Sequence, residues 1–163
     1  MQRYCLTGFC LSIIFVFSGC IPRKISPVPS LDLLGKVSNL KYYSSEVIPQ
    51  DFLNIYGNWK SISTVNGIDG SIALPKYDYL ELKGFGIYGI VKNYVLVEYG
   101  KMEVVSLDLP NNRLIIKLIP DFRLNTSDIY TSASNQFISI GNNILSIGDT
   151  VANGLTTSFS KVF

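Results

Sequence analysis

From Trp59 onward the chain is a succession of short runs rich in Ile, Val, Tyr and Thr, divided by Gly, Asn, Asp and Pro. Within several runs apolar and polar positions alternate, the period of a strand with one buried face. In Arg113-Leu-Ile-Ile-Lys-Leu118, for example, Leu114, Ile116 and Leu118 share a face opposite Arg113 and Lys117. The pattern predicts strands over Asn58–Val65, Tyr77–Leu82, Gly86–Val91, Tyr94–Tyr99, Met102–Leu107, Arg113–Ile119, Gln136–Ile140, Ile144–Ile147 and Leu155–Val162. The same count turns Leu80 and Leu82, Tyr88 and Ile90, Val95 and Val97, Leu145 and Ile147, and Leu155 and Phe159 inward. Asp78 is the acid that this parity places inside, at a strand start. Tight connections at Lys83-Gly84-Phe85, Lys92-Asn93, Pro110-Asn111-Asn112 and Gly141-Asn142-Asn143 hold the Gly or Asn that hairpin turns favour, so sequence neighbours pair antiparallel. Such a meander must close on itself or split into two sheets to bury its apolar face and protect its edges, and closure into a barrel is the simplest outcome. The expected fold is all-β: a small antiparallel up-and-down barrel of eight or nine strands with a short N-terminal helix.

That helix is predicted over Pro49–Tyr56, with Pro49 early, where its missing N–H costs nothing, and Gly57 as terminator. Leu31–Tyr43 has a weak helical pattern interrupted by Gly35 and reads as helix or irregular structure. Ile21–Ser30, with Pro22, Pro27 and Pro29, is an extended spacer, and polar Pro120–Asn135 a long loop or irregular strand. At the start, Arg3 precedes an apolar run from Phe9 to Phe17 that ends in Ser18-Gly19-Cys20. These are the parts of an export signal, and the run is too short to span a bilayer. Read from the residues alone, it is a secretory leader that stops at a cysteine, or an uncleaved membrane helix. Phe17-Ser-Gly-Cys20 resembles the lipobox of bacterial lipoproteins, although leucine is commonest where Phe17 stands. The resemblance implies cleavage before Cys20, acylation of its thiol, and a domain tethered to a membrane. The chain then divides into a signal peptide over residues 1–19, a lipidated Cys20 and linker over 20–48, and a barrel domain over 49–163.

Composition narrows the chemistry. The cysteines are Cys5, Cys10 and Cys20, so processing leaves no thiol for a disulfide. The chain has no histidine, which excludes Ser-His and Cys-His nucleophiles and the N/S ligand sets of soft metals. The acidic residues form no ligand-spaced cluster; catalytic residues, metal and cofactor are all expected to be none, and the chain is not expected to be an enzyme. With 14 Lys and Arg scattered against 12 Asp and Glu, nucleic acid is not an expected partner.

Gly57-Asn58-Trp59 opens the first strand just after the short helix and resembles the Gly-x-Trp signature of lipocalins. More broadly, Trp59-Lys-Ser-Ile-Ser-Thr-Val-Asn-Gly-Ile-Asp-Gly70, the Lys83-Gly84 hairpin, Ile144–Asp149, Ala152–Leu155 and Phe159-Ser-Lys161 resemble lipocalin-like domains of bacterial lipoproteins, over roughly the residues after Tyr56. The second and third lipocalin motifs are not evident. The resemblance implies a tryptophan at the closed end of an eight-stranded barrel with a basic residue of the last strand over its indole, here Lys161 on Trp59. It also implies a small hydrophobic or amphipathic ligand inside, touching Tyr88, Ile90, Val95, Val97, Leu114, Ile116, Leu118 and Phe159. Tyr77, Tyr79, Tyr88, Tyr94 and Tyr99 cluster in the central hairpins and suit the mouth of a pocket. The other reading is a filled barrel that presents Asn66–Lys76, Pro120–Asn135 and Thr150–Gly154 to a protein partner, or inhibits a secreted enzyme. For localisation, no aspartate follows Cys20. By resemblance to Gram-negative lipoproteins this implies the outer membrane; the leaflet stays open, and the lack of an acidic run after Cys20, of the kind some surface-exported lipoproteins carry, favours the periplasmic side.

Overall fold

In the computed structural model, which describes residues 32–37, 48–128, 130–131, 133–151 and 154–162, the β-rich region closes on itself. The leader, Cys20 and the Ile21–Ser30 spacer lie outside the described residues. Nine strands run antiparallel: β1 Gly57–Asn66, β2 Ile72–Ala73, β3 Tyr79–Lys83, β4 Ile87–Lys92, β5 Val95–Asp108, β6 Arg113–Arg123, β7 Gln136–Gly141, β8 Ile144–Asp149 and β9 Leu155–Val162. From β3 to β9 each strand pairs with the next, and β1 joins β3 to β9. The closing strand β1 meets β9 along one edge; along the other it pairs with β3 from Gly57↔Leu82 to Lys60↔Tyr79 and, higher up, with the two-residue β2. Eight strands therefore make the barrel and β2 is an extra strip at its rim.

Closure follows from the alternation. Leu80, Leu82, Tyr88, Ile90, Leu114, Ile116, Leu118, Leu145, Ile147 and Phe159 all point in and pack as one cluster with Trp59 and Met102. An eight-stranded barrel is only wide enough for such side chains to fill it or for one small ligand. The closed end is plugged by a 3₁₀ turn, Gln50–Ile55, which delivers Phe52 and Ile55 to the core, with Ile48 beside them. The Asn93-Tyr94 and Asn142-Asn143 hairpin turns carry positive φ at both central residues, as a turn matched to the strand twist requires.

The structure departs from the sequence pattern in four places. The runs 94–99 and 102–107 are one strand, because Gly100 is a point of close approach and not a turn: a Cβ there would run into the Ile119 carbonyl. Next, a bulge between β4 and β5 pairs Ile90 with Glu98 but Val91 with Leu96. The extra residue reverses parity from there on, so Glu98 enters the barrel while Val97 stays buried; Val95, opposite Lys92 at the first position of β5, is 49% exposed at the open rim. Asp78 is exposed and accepts the Asn93 N–H at 2.6 Å; it is not the inward acid. Finally, the expected linker contributes to the packed body. Residues 32–37 include a 3₁₀ turn, Leu34–Lys36, whose Leu34 is buried against Gly89 on the outer wall. There the Glu81 carboxylate accepts the N–H groups of Leu33 at 3.1 Å and Leu34 at 3.0 Å, while Lys83 pairs with Asp32. Burial pushes the Glu81 carboxyl up from its ordinary value, against the pull of those two donors.

Candidate functional site

At the closed end, Trp59 and Lys161 are direct cross-strand partners. The Lys161 ammonium lies 5.2 Å from the centroid of the Trp59 ring and donates to the Asn54 carbonyl at 3.1 Å. The indole N–H donates to Ile55 O at 2.6 Å, so the fully buried ring has no orphaned polar atom. Gly57 takes φ 136°, and a Cβ there would stand 3.2 Å from Lys161 Cε. Its glycine thus supplies both the turn into β1 and the space for the lysine stem. These contacts build a sealed floor.

Above the floor the barrel is solid. Tyr88, Ile90, Val97, Leu114, Ile116, Leu118 and Phe159, expected to touch a ligand, instead pack against one another, and Val95 is half-exposed at the open rim, apart from that cluster. Higher still comes a polar cluster organised by Glu98. Its carboxylate accepts the Tyr88 hydroxyl at 2.8 Å, the Thr131 hydroxyl at 2.7 Å and the Arg123 Nε–H at 2.5 Å, and Arg123 also donates to Thr131 Oγ1 at 3.2 Å. Burial, and then the Glu98 carboxylate, raise the Tyr88 hydroxyl far above an ordinary phenol. Because the folded Tyr88 keeps its proton while the unfolded phenol loses it near pH 10, its contribution is intact below that pH and fades above it. Stability should therefore fall by about 1.4 kcal/mol per pH unit on its account above about pH 10. Urea melts between pH 8 and 11.5 test this; an equal slope in Tyr88→Phe defeats it.

The open end holds a cavity of about 250 Å³ lined by Thr64, Lys76, Tyr77, Tyr130, Thr131, Gln136, Ile147, Asp149, Leu155 and Thr157. Tyr77 stacks on Phe159 at 5.9 Å between ring centroids, so its ring forms part of the cavity's base. Burial, with help from Glu98, pushes the Tyr77 hydroxyl well above its usual value. Thr64 and Thr157 bond to each other at 2.9 Å across β1 and β9. Gln136 and Asp149 face each other across β7 and β8, and their Oε1 and Oδ1 atoms are buried without a hydrogen-bond partner. None of the expected ligand-contacting residues lines this cavity.

Of the two cup acceptors, Gln136 opens the predicted strand Gln136–Ile140, whereas Asp149 lies beyond the predicted strand end at Ile147. Asp149 continues the inward row of Leu145 and Ile147, and Gln136 begins that of Ile138. A polar residue extending an apolar row at the open end of a barrel marks where packing gives way to a site. Among the described residues no group of three or more metal-ligating side chains comes together. Comparison with known proteins finds no matching family model, curated protein or solved structure.

Proposed function

We propose that the chain is a bacterial envelope lipoprotein, anchored through acylated Cys20, whose lipocalin-like barrel binds a small molecule in the cup at its open end. The observation that carries the binding reading is the pair of unpartnered acceptors, Gln136 Oε1 and Asp149 Oδ1, in a cavity above a core with no room to spare. Buried polar groups ordinarily find partners, and an exception in a concave site marks a place for a ligand. Gly57, Trp59 and Lys161 support the lipocalin-like reading through their floor geometry. The lipid anchor rests on Phe17–Cys20 alone, and two or three acyl chains there make a nearly permanent tether.

Asp32 sits beside Lys83 at the closed end, where Leu82 pairs with Gly57. Residues 21–31 reach at most about 40 Å from there. The anchor therefore joins at the sealed end, which leaves the mouth of the cup clear of the attachment point. A protein-docking role is the second reading; Ile68, Ile72 and Leu74 stand exposed on the excursion between β1 and β3. Native mass spectrometry of the full chain separates the two. The binding reading expects a small molecule retained by the wild type and lost from Thr157→Phe, which fills the cup. Identical spectra from both proteins, with nothing bound, defeat it.

A further inference from the structure

Resting on that reading, we infer that the cup selects a neutral, polyhydroxylated molecule of about monosaccharide size, and not a fatty chain. Both unpartnered atoms are acceptors, an amide oxygen on Gln136 and a carboxylate oxygen on Asp149, so the ligand must bring donors. The two residues are directly opposed on adjacent strands, which puts their Cβ atoms about 5 Å apart. Two neighbouring hydroxyl groups on one small ring can reach both acceptors from a single position.

The remaining walls agree. The rings of Tyr77 and Tyr130 offer flat apolar faces to the C–H side of such a ring, and the Thr64–Thr157 hydroxyl pair keeps one O–H to donate and lone pairs to accept. One cationic side chain, Lys76, and one acidic, Asp149, line the cup, so its charges balance and no ionic ligand is called for. A fatty chain fits neither end of the problem. It would leave both acceptors unpaired, and it needs depth that Ile90, Leu114, Ile116 and Phe159 already fill. The volume, about 250 Å³, lies below the span of roughly 300–1,000 Å³ that holds drug-sized ligands.

The test uses the full chain in phospholipid nanodiscs, with glucose, galactose and N-acetylglucosamine as polyhydroxyl probes and laurate and dodecylamine as apolar ones. Binding is read by saturation-transfer NMR and calorimetry. At least one sugar should bind, and Gln136→Met and Asp149→Leu should each weaken it tenfold or more. Because Gln136 Oε1 has no partner without a ligand, Gln136→Met should also leave the melting temperature unchanged or higher. Loss of sugar binding without loss of stability is a result that a purely structural role for Gln136 does not produce. Laurate or dodecylamine binding in the cup without any sugar overturns the inference and leaves the binding reading standing. Sugar binding that is equal in the wild type and both variants also overturns it. No binding by any probe, together with empty native mass spectra, ends both.

Discussion

Replacing Trp59 with alanine is expected to lower the stability of the barrel by about 3–5 kcal/mol, the range for deleting a large buried aromatic. The indole is fully buried where β1, the Gln50–Ile55 turn and β9 converge, so its removal opens a cavity that no single neighbour can collapse into. The turn is held to the barrel in part by the indole N–H to Ile55 O and by Lys161 to Asn54 O, and the first of these goes with the ring. Lys161 then faces empty apolar space. By contrast Lys161→Met, which keeps the stem, should lose only about 0.5–2 kcal/mol, the worth of a cation–π contact. Urea denaturation of the three proteins measures both differences. A loss below about 1 kcal/mol for Trp59→Ala sinks the account of the floor.

The inward rows of the barrel wall were legible in the sequence because alternation is a local rule. Alternation placed Leu114, Ile116 and Leu118 inward, and they are buried there. Gly57-Asn58-Trp59 suggested a closed end only through its resemblance to the lipocalin signature. The cup was less legible, for three physical reasons. A one-residue bulge at Val97 is invisible to period-two counting, yet it sends Glu98 into the barrel beside the expected Val97. Strand ends are set by long-range pairing, so β6 continues through Pro120 to Arg123 beside β5, and β8 reaches Asp149 beside β7. Apolarity also could not separate packing from binding: Ile90, Leu114 and Ile116 look equally suited to either, and only three-dimensional density shows that they fill the interior. The strap over residues 32–37 was hidden for a related reason, since Leu34 is buried in a gap above Gly89 that is far away in sequence.

Arg123→Met is expected to cost about 3–5 kcal/mol, because it strips the counter-charge from a carboxylate that is wholly inside the protein. The more exposed pair Lys101–Glu103 provides the contrast; breaking it should change stability by at most about 1 kcal/mol. Adding Glu98→Gln to Arg123→Met removes the stranded charge and keeps an acceptor for the Tyr88 and Thr131 hydroxyls, so the double variant should recover much of the loss in a double-mutant cycle. A double variant no more stable than Arg123→Met defeats this account. An apolar pair could hold the barrel about as well as a buried ion pair does, so the pair's value lies in what it positions. Arg123 and Glu98 both bond Thr131, and Thr131 and Tyr130 form one wall of the cup. The double variant should therefore regain stability without regaining ligand, since the guanidinium that fixes this wall is still missing. Full recovery of both would reduce the pair to a packing feature and detach it from the site.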